Sequence, residues 1–288
     1  MDAYLADVLS GKRMLLFDGA MGTMVQRLGL ARVNEQPDLL CLSDPDAVTG
    51  IHAAYVEAGS QVVTTNTFST NRFALPEGLS VAEVMHAGVE CARASGARYV
   101  AADVSVLGEL LDPYGDLEED DAIDAFEEIA RAINDEPVDI VLIETMTDLR
   151  EAQIAIRAAK SICDKPVFSS MSFGAGGATF MGVTPEQAVT GLREAGADVV
   201  GMNCSLGPVD MIALVERMVK LADCPILAQP NAGLPSVKDG KTTYDVTVEQ
   251  YIEAFEKILD AGATVVGGCC GTDPSFIAAL SKLVESRS

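Results

Sequence analysis

Short runs of apolar residues alternate along the chain with longer stretches in which apolar positions recur at helical spacing. The short runs are rich in Val, Ile and Ala and end in polar residues or glycine, which predicts buried β-strands. The longer stretches predict amphipathic α-helices. The eight predicted strands cover residues 13–19, 61–67, 98–105, 139–145, 166–173, 197–204, 225–233 and 263–270. The predicted helices lie near residues 44–58, 78–96, 118–134, 147–161, 184–194, 208–221, 246–260 and 274–285.

Three predicted helices carry recognisable start signals. Asp44 and Asp273 are each followed by proline, and this pair is typical of an N-cap residue with proline at the first helical position. Thr184 precedes Gln187 by three residues and fits a capping box. These signals support the helical interpretation of the segments that they open.

Eight strand–helix units in 288 residues indicate an α/β protein folded as a (β/α)8 TIM barrel, with a single domain over residues 1–288. A doubly wound parallel sheet is the alternative. The barrel is preferred because candidate site residues follow both the first and the eighth strand, and closure of a barrel makes these strands neighbours. In such a barrel the chemistry lies at the carboxyl ends of the strands.

Cysteines follow two of the predicted strands. Residues 261–270 match residues 195–204 in pattern, each with a helix end, a glycine, an apolar strand and a polar terminus, and this register aligns Cys270 with Cys204. If both strands belong to one parallel sheet, Cys204, Cys269 and Cys270 share one rim. Three thiolates at one point are the ligand set of a catalytic zinc with one open position.

The neighbouring pair Cys269–Cys270 fits poorly as a disulfide, because the Cα atoms of bridged cysteines normally lie further apart than those of adjacent residues. Glycines flank the pair on both sides, at Gly268 and Gly271, and allow backbone or ligand to approach closely. Both features favour a metal site over a disulfide.

Acidic residues follow two other predicted strands, at Asp18 and Glu144. A buried carboxylate is costly unless it is paired or hydrogen-bonded, and few basic residues lie near these strand ends. A ligand ammonium is one candidate partner, and backbone amides are the other. Residues 19–23, which begin with Gly19 and Ala20, offer amides that could hold a small carboxylate. Together with zinc for a thiol, these groups describe a thiol amino acid.

The composition of the chain argues against several classes of partner and location. The net charge is −23, from 43 acidic and 20 basic residues, which argues against nucleic acid or an anionic membrane as partner. The first seven residues are too acidic for an export signal, and no spanning segment is recognised. Seven cysteines without the spacing of a small disulfide scaffold fit a reducing cytoplasm.

Five motifs carry a resemblance to a known family: LFDGAMGTM at 16–24, TNTF at 65–68, IET at 143–145, MNC at 202–204 and GGCCG at 267–271. On these motifs the chain resembles the homocysteine S-methyltransferase family over almost its whole length. It is most similar to the homocysteine-binding domain of cobalamin-dependent methionine synthases. The resemblance implies a zinc-bound homocysteine thiolate that attacks an activated methyl group. It also implies zinc ligands at Cys204, Cys269 and Cys270 and substrate carboxylates at Asp18 and Glu144.

We expect three further residues, Gly19, Ala20 and Asn203, to contact the substrate. Asn231 ends the seventh predicted strand, between the strands that carry the cysteines. Its amide oxygen is a possible fourth zinc ligand in the absence of substrate, with water as the rival. Two positions depart from the family pattern. Thr145 stands where betaine-dependent members have tyrosine, and residues 103–108 lack an expected glycine–proline pair.

The methyl donor is expected to be methylcobalamin on a separate corrinoid protein. Cobalamin-dependent methionine synthases continue into folate, cobalamin and activation domains, whereas this chain stops after the barrel. The usual Asp-x-His-x-x-Gly motif of a cobalamin ligand surrounds neither His52 nor His86. The alternatives are a small donor such as S-methylmethionine or S-adenosylmethionine, another thiol acceptor, or a non-catalytic zinc-binding subunit.

The remaining candidate residues are given structural roles. His52 and His86 lie in helical patterns and are expected on the surface or in packing. Cys41 and Cys91, like Cys163 and Cys224, are expected to lack clustered partners.

Overall fold

The computed structural model describes residues 1–30, 36–238 and 241–287. Within these residues the strands are β1 (Leu15–Leu16), β2 (Val62–Thr64), β3 (Tyr99–Val104), β4 (Ile140–Met146), β5 (Val167–Met171), β6 (Val199–Asn203), β7 (Ile226–Gln229), β8 (Ser236–Lys238), β9 (Lys241–Thr243) and β10 (Val265–Val266). The helices are α1 (Ala3–Leu9), α2 (Met21–Arg27), α3 (Leu40–Ser43), α4 (Pro45–Glu57), α5 (Val81–Ala94), α6 (Glu119–Asn134), α7 (Leu149–Ile162), α8 (Pro185–Ala195), α9 (Pro208–Val219), α10 (Val248–Ala261) and α11 (Pro274–Glu285), with a 3₁₀ turn at Pro37–Leu39.

Eight of the strands form one parallel sheet, in the order β1-β10-β7-β6-β5-β4-β3-β2. Its first and last strands meet at a parallel bridge between Phe17 and Val62, beside a 2.8 Å hydrogen bond from the Gln61 amide to the Leu16 carbonyl. The sheet is therefore a nearly closed (β/α)8 TIM barrel, as predicted, and the doubly wound alternative is wrong. β8 and β9 form a separate antiparallel hairpin between β7 and α10.

Successive side chains along a strand point alternately into the barrel and toward the helices, so the protein has an inner and an outer core. Leu15 and Phe17 belong to a fully buried cluster with inward residues of the other strands, whereas Leu16 belongs to the layer between sheet and helices. Inside the barrel the rings of Phe17 and Phe168 lie 6.0 Å apart. Helix α1 contributes Leu5 to the same inner cluster. The barrel is thus a packed core that leaves only its carboxyl-end mouth for chemistry.

The predicted helix starts are confirmed. The Asp44 side chain accepts a hydrogen bond from the Ala47 amide at 3.3 Å, and the Asp273 side chain accepts one from Ser275 at 2.9 Å. Thr184 and Gln187 form a complete capping box. Each cap satisfies amides that the first helical turn leaves without a partner.

The first and eighth strands of the barrel are shorter than predicted, at two residues each. Beyond the ladder the backbone leaves the sheet and makes specific contacts instead. The Gly268 amide donates to the Asp18 carbonyl at 2.9 Å, and the Cys269 amide donates to the Pro230 carbonyl at 2.9 Å. The apolar pattern continues past the ladder, but these contacts bring the cysteine pair and Asp18 to the mouth of the barrel.

None of the helices in the described ranges has the length and apolar character needed to cross a membrane.

Candidate functional site

Three cysteines converge at the mouth of the barrel. Cys204 follows β6, and Cys269 and Cys270 follow β10, two strands that flank β7 in the sheet. Their sulfur atoms all lie within 4.8 Å of one another, and the Cys204 and Cys270 sulfurs are 3.9 Å apart. The structure thus brings together the three thiols that the sequence placed on one rim.

Unusual backbone geometry aims Cys204 at the other two cysteines. Cys204 and Ser205 have φ values of 59° and 56°, in the left-handed region that side chains other than glycine rarely adopt. Such a conformation costs on the order of 1–3 kcal/mol and persists only where surrounding contacts impose it. One of these contacts is a 3.1 Å hydrogen bond from the Cys204 amide to the Gln229 carbonyl. Strain of this kind at a thiol cluster indicates a functional position.

The cysteine pair is held by its backbone and by glycines. The Cys269 amide donates to the Pro230 carbonyl, and the Cys270 carbonyl accepts from the Ala232 amide, both at 2.9 Å. A side chain at Gly268 would come within 2.5 Å of the Thr272 hydroxyl, so only glycine fits there. The turn therefore presents both thiols in one fixed arrangement.

The crowding of the thiols changes their acidity. Hydrogen bonds from Cys204, and then from Cys269, lower the pKa of Cys270. In contrast, the contacts of Cys269 with Cys204 and then with Cys270 raise the pKa of Cys269. The cluster thus favours one thiolate and opposes further ionisation. A divalent cation removes this opposition, and sulfur ligands suit zinc.

Asn203, at the end of β6, organises the region beside the cysteines. Its side-chain oxygen accepts from the Thr145 amide at 2.8 Å and from the Ser170 hydroxyl at 2.7 Å. Its side-chain nitrogen donates to the Glu144 carboxylate and, at 2.7 Å, to the Thr145 hydroxyl. Asn203 is completely buried and its hydrogen bonds go to the protein. It orients Glu144, whereas we expected it to contact substrate.

The Asp18 carboxylate is hydrogen-bonded by the protein, including a backbone amide, which is the second of the two partners considered from the sequence. Its carboxylate accepts from the Thr64 amide at 2.8 Å and from the Thr64 hydroxyl at 2.9 Å. Burial raises the pKa of Asp18 to about 7 despite these bonds. Burial, and then the neighbouring Cys204, raise the pKa of Glu144 to about 7 as well. Two carboxyl groups with pKa values near 7 in one site can exchange protons or bind a cationic ligand.

A third acid, Asp103, belongs to the site, and the sequence analysis assigned it no role. It lies near the end of β3, is 4% exposed, and interacts with Glu144. Its Oδ1 atom has no hydrogen-bond partner. Burial, and then the charge of Glu144, raise the pKa of Asp103 well above its ordinary value. Its position at a strand end was the available signal, but its approach to Glu144 depends on the pairing of β3 with β4.

The three cysteines line a cavity of about 260 Å³ together with Asp18, Asp103 and Glu144, and this cavity opens to solvent. Among the described residues none of the lining side chains is Lys, Arg or His. Four acids, Asp18, Asp38, Asp103 and Glu144, line the cavity without a cation among the described lining side chains, so the site attracts a positively charged group. The lining consists of Asp18, Gly19, Ala20, Met21, Gly22, Thr23, Pro37, Asp38, Thr64, Thr65, Asn66, Phe68, Ser69, Asp103, Glu144, Thr145, Cys204, Gln229, Gly268, Cys269 and Cys270.

Gly19 and Ala20 also line the cavity, between Asp18 and the start of α2. The Ala20 amide donates to the Thr272 hydroxyl at 3.2 Å, and the Ala20 carbonyl accepts from the Tyr55 hydroxyl at 2.8 Å. A side chain at Gly19 would come within 2.7 Å of the Thr272 hydroxyl. Helix α2 begins without a side-chain cap, so amides of its first turn have no side-chain partner at the cavity edge.

Asn231 lies directly behind the cysteine pair. Its neighbours Pro230 and Ala232 make the backbone hydrogen bonds to Cys269 and Cys270 described above. Asn231 itself is 3% exposed, and its side-chain oxygen has no hydrogen-bond partner. The segment that carries this unpartnered, buried oxygen is thus bonded through its backbone to the cysteine turn.

The histidines take packing and surface positions, as expected. His52 is completely buried in α4 with both ring nitrogens unpartnered, and His86 is exposed, with its Nδ1 3.0 Å from Glu136. The expectation that Cys41 and Cys91 lack clustered partners is wrong. They pack together in one buried cluster, because α3 and α5 lie side by side.

Comparisons with known proteins identify the family of the chain. The chain matches the family model described as homocysteine S-methyltransferase over residues 15–284. It is 30% identical over 309 residues to a methionine synthase of Mycobacterium tuberculosis (strain ATCC 25618 / H37Rv), an alignment that covers 99% of this chain and 26% of that relative. The chain therefore spans about a quarter of that protein's length.

Among solved structures, the homocysteine methyltransferase MmuM of Escherichia coli resembles the chain in fold. Its oxidized form has a TM-score of 0.79 at 20% identity and covers 100% of both chains. Its metallated form has a TM-score of 0.78 at 21% identity and covers 99% of both chains. The carboxyl transferase domain of Rhizobium etli pyruvate carboxylase is more distant, with a TM-score of 0.54 at 13% identity over 99% of this chain and 50% of that one.

Proposed function

Because the chain belongs to the homocysteine S-methyltransferase family, we propose that it methylates the sulfur of homocysteine at a zinc ion held by Cys204, Cys269 and Cys270. The observation that carries the proposal is the convergence of these three sulfurs, within 4.8 Å of one another, at the edge of a cavity lined by buried acids. The cysteines and the acids lie close enough for one small amino acid to reach both.

The donor set supports zinc as the metal. Three cysteine sulfurs leave one position of a tetrahedral zinc open, as in catalytic sites. The unpartnered oxygen of Asn231 is a suitable fourth ligand before substrate arrives. When bound, zinc stabilises the deprotonated form of the substrate thiol, which is otherwise mostly protonated at neutral pH.

The acids select the amino group of the substrate. Glu144, oriented by Asn203, and Asp18, held by Thr64, are proposed to bind the ammonium together with Asp103. A cation between them compensates the cost of their burial and favours their ionised forms. The backbone amides of residues 19–23, which line the same cavity, are proposed to hold the carboxylate.

Methyl transfer needs few further groups from the protein. The substrate sulfur forms a bond to the methyl carbon while the bond from that carbon to the donor breaks, and the electron pair leaves with the donor. No protein base is needed once the thiol is ionised. The protein contributes by positioning the substrate so that the sulfur faces the mouth of the cavity.

We propose methylcobalamin as the methyl donor, carried by a corrinoid protein outside this barrel. The resemblance to cobalamin-dependent methionine synthases and the similarity to a methionine synthase support this choice. A corrin macrocycle is far too large for a cavity of about 260 Å³, so its methyl group would have to be presented at the open mouth. The unpaired state of all seven cysteines suits a reducing compartment, and we propose a cytoplasmic location.

The decisive experiment is a set of parallel methyl-transfer assays. Zinc-loaded protein and homocysteine are incubated with free methylcobalamin, a methylated corrinoid protein, S-methylmethionine, betaine or methyltetrahydrofolate. We expect slow formation of methionine with free methylcobalamin and much faster formation with the corrinoid protein. Rapid, saturable turnover with S-methylmethionine would replace the corrinoid donor by a small one. Failure of zinc-loaded protein to bind homocysteine would refute the proposed function.

A further inference from the structure

Tyr244 packs directly against the turn that carries the metal-site cysteines. It follows β9, is half-buried, and belongs to the segment that leads into α10. Gly271 has a φ of +85°, and a side chain built there would come within 2.3 Å of Cγ and 2.5 Å of Cδ2 of Tyr244. The Tyr244 ring therefore lies on the backbone of the residue next to Cys270.

Backbone hydrogen bonds hold Tyr244 in this place. The Ala232 amide donates to the Cys270 carbonyl at 2.9 Å, and the Ala232 carbonyl accepts from the Val246 amide at 3.1 Å. The segment that carries Tyr244 is thus joined to Cys270 through a single intervening residue. On the other side of the turn, the Gly271 amide donates to the Thr23 hydroxyl at 3.1 Å. Hydrogen bonds therefore hold the Cys270–Gly271 turn on both sides.

The side chains of Tyr244 and Cys270 interact. A phenol has an ordinary pKa of ~10, so it is protonated at neutral pH and can donate. A metal-bound cysteine is a thiolate and accepts hydrogen bonds. With its ring on Gly271, Tyr244 therefore places a protonated donor beside a cysteine whose sulfur becomes an acceptor when metal binds.

We propose that Tyr244 is a positioning residue of the metal centre, whose hydroxyl donates a hydrogen bond to the Cys270 thiolate and sets its orientation and donor strength. This inference rests on the proposed function, because it requires a metal ion on the cysteines. A hydrogen bond to a thiolate withdraws electron density from it, so the sulfur donates less charge to the metal. Groups that hydrogen-bond to metal ligands commonly change metal affinity or activity by about 10–100-fold.

The test compares the wild-type protein with Tyr244→Phe, which keeps the ring on Gly271 and removes only the hydroxyl. Tyr99→Phe is the matched control, because it removes a hydroxyl that hydrogen-bonds to Asp2, a residue that does not line the cavity. Each protein is loaded with Co²⁺, and the sulfur-to-cobalt charge-transfer absorption is recorded. Zinc affinity is measured by competition with a chelator. These readouts do not depend on activity.

In Tyr244→Phe we expect the charge-transfer band to move to longer wavelength, because a thiolate without the hydrogen bond gives up its electrons more easily. Zinc affinity is expected to fall about tenfold, because the hydrogen bond also orients the Cys270 thiolate and stabilises it against protonation, and this loss outweighs the gain in donor strength. Tyr99→Phe should match wild type in both measurements. A purely packing role for Tyr244 would leave the Tyr244→Phe band and affinity unchanged, and that result would overturn the inference.

The wild-type protein separates this inference from the proposed function. Absence of thiolate–cobalt bands in wild type would count against the metal site itself. Normal wild-type bands with an unchanged Tyr244→Phe spectrum would refute only the role of Tyr244. If Tyr244→Phe does not fold, wild type produced with 3-fluorotyrosine serves instead. Its phenols are stronger donors, so the band should move to shorter wavelength, and an unmoved band would again refute the inference.

Discussion

The Asn203 side-chain nitrogen donates a hydrogen bond to the Glu144 carboxylate, although the two residues lie 59 positions apart in the chain. The same amide also binds the backbone and hydroxyl of Thr145. Thr145 has a φ of 59°, a left-handed conformation that these bonds help to impose. Asn203 therefore fixes both the direction of the carboxylate and the turn that carries it.

Replacement of Asn203 by Ala should weaken homocysteine binding while the metal remains bound. A hydrogen bond to a charged group contributes about 1.5–3 kcal/mol, so we expect KM to rise about 10–100-fold. Steady-state kinetics and metal analysis on the same preparation provide the measurement. Ser170→Ala is the control, since it removes one donor to Asn203 and leaves the bond to Glu144 in place. An unchanged KM in Asn203→Ala would show that Glu144 does not need this support.

Each of the three cysteines should be required for zinc. Replacing Cys204, Cys269 or Cys270 by Ala leaves two thiols, and we expect each variant to lose tight zinc binding and activity while the barrel still folds. Elemental analysis after dialysis against a chelator measures the zinc, and circular dichroism monitors the fold. Cys224→Ala, a half-buried thiol outside the cavity, should keep one zinc per chain. Undiminished zinc in all three variants would contradict the proposed site.

Asn231 should matter only in the absence of substrate. If its oxygen fills the fourth zinc position, Asn231→Ala will lower zinc affinity in the substrate-free protein, and saturating homocysteine will restore it because the substrate sulfur replaces the amide. Zinc affinity is measured by chelator competition with and without homocysteine. X-ray absorption identifies the ligand directly. An equal effect of the substitution in both states, or none in either, would favour water as the fourth ligand.

Ligand binding should strengthen as pH rises through neutrality. The pKa values of Asp18 and Glu144 are raised to about 7, so below this pH the carboxyls are neutral and above it they attract the ammonium. Methionine is the suitable probe, because it has no thiol to titrate. We expect its Kd to fall about tenfold between pH 6 and pH 8, as one group with this pKa ionises. Calorimetry on Glu144→Gln should show weaker binding and a smaller dependence on pH, because only Asp18 of this pair then still ionises near neutrality.

His52 should make the protein less stable in mild acid. Burial lowers the pKa of His52 to about 4 from an ordinary value of 6.5. The unfolded chain therefore binds a proton at His52 below pH 6.5, whereas the folded chain does not bind it until about pH 4, so the contribution of His52 to the free energy of unfolding declines across this range. This contribution should fall by about 2 kcal/mol between pH 7 and pH 5. The raised pKa values of Asp18 and Glu144 act in the opposite direction.

The measurement is urea unfolding at both pH values. His52→Leu removes the titrating ring, so on going from pH 7 to pH 5 its free energy of unfolding should change about 2 kcal/mol more favourably than that of wild type. His86→Leu is the matched control, since the His86 ring is exposed, and it should behave as wild type. A His52→Leu protein with the same change between the two pH values as wild type would contradict this role of His52.

The amino-acid sequence by itself was sufficient to predict the barrel and the rim on which the cysteines lie. Strand and helix periods are local properties of the chain, and a residue at the end of a parallel strand lies at one edge of the sheet whatever its partners are. Cys204 and Cys270 could therefore be placed together from matching strand ends. The same logic located Asp18 and Glu144 at the mouth.

Only the tertiary structure decided what each of these side chains contacts. Asn203 binds Glu144 because β4, β5 and β6 lie in order in the sheet, and Asp103 approaches Glu144 because β3 pairs with β4. Tyr244 packs on Gly271, next to Cys270, from the segment after the β8–β9 hairpin, which follows a different strand. Hydrogen bonds are short and directional, so they depend on the spacing and twist of packed elements, which local sequence patterns do not encode.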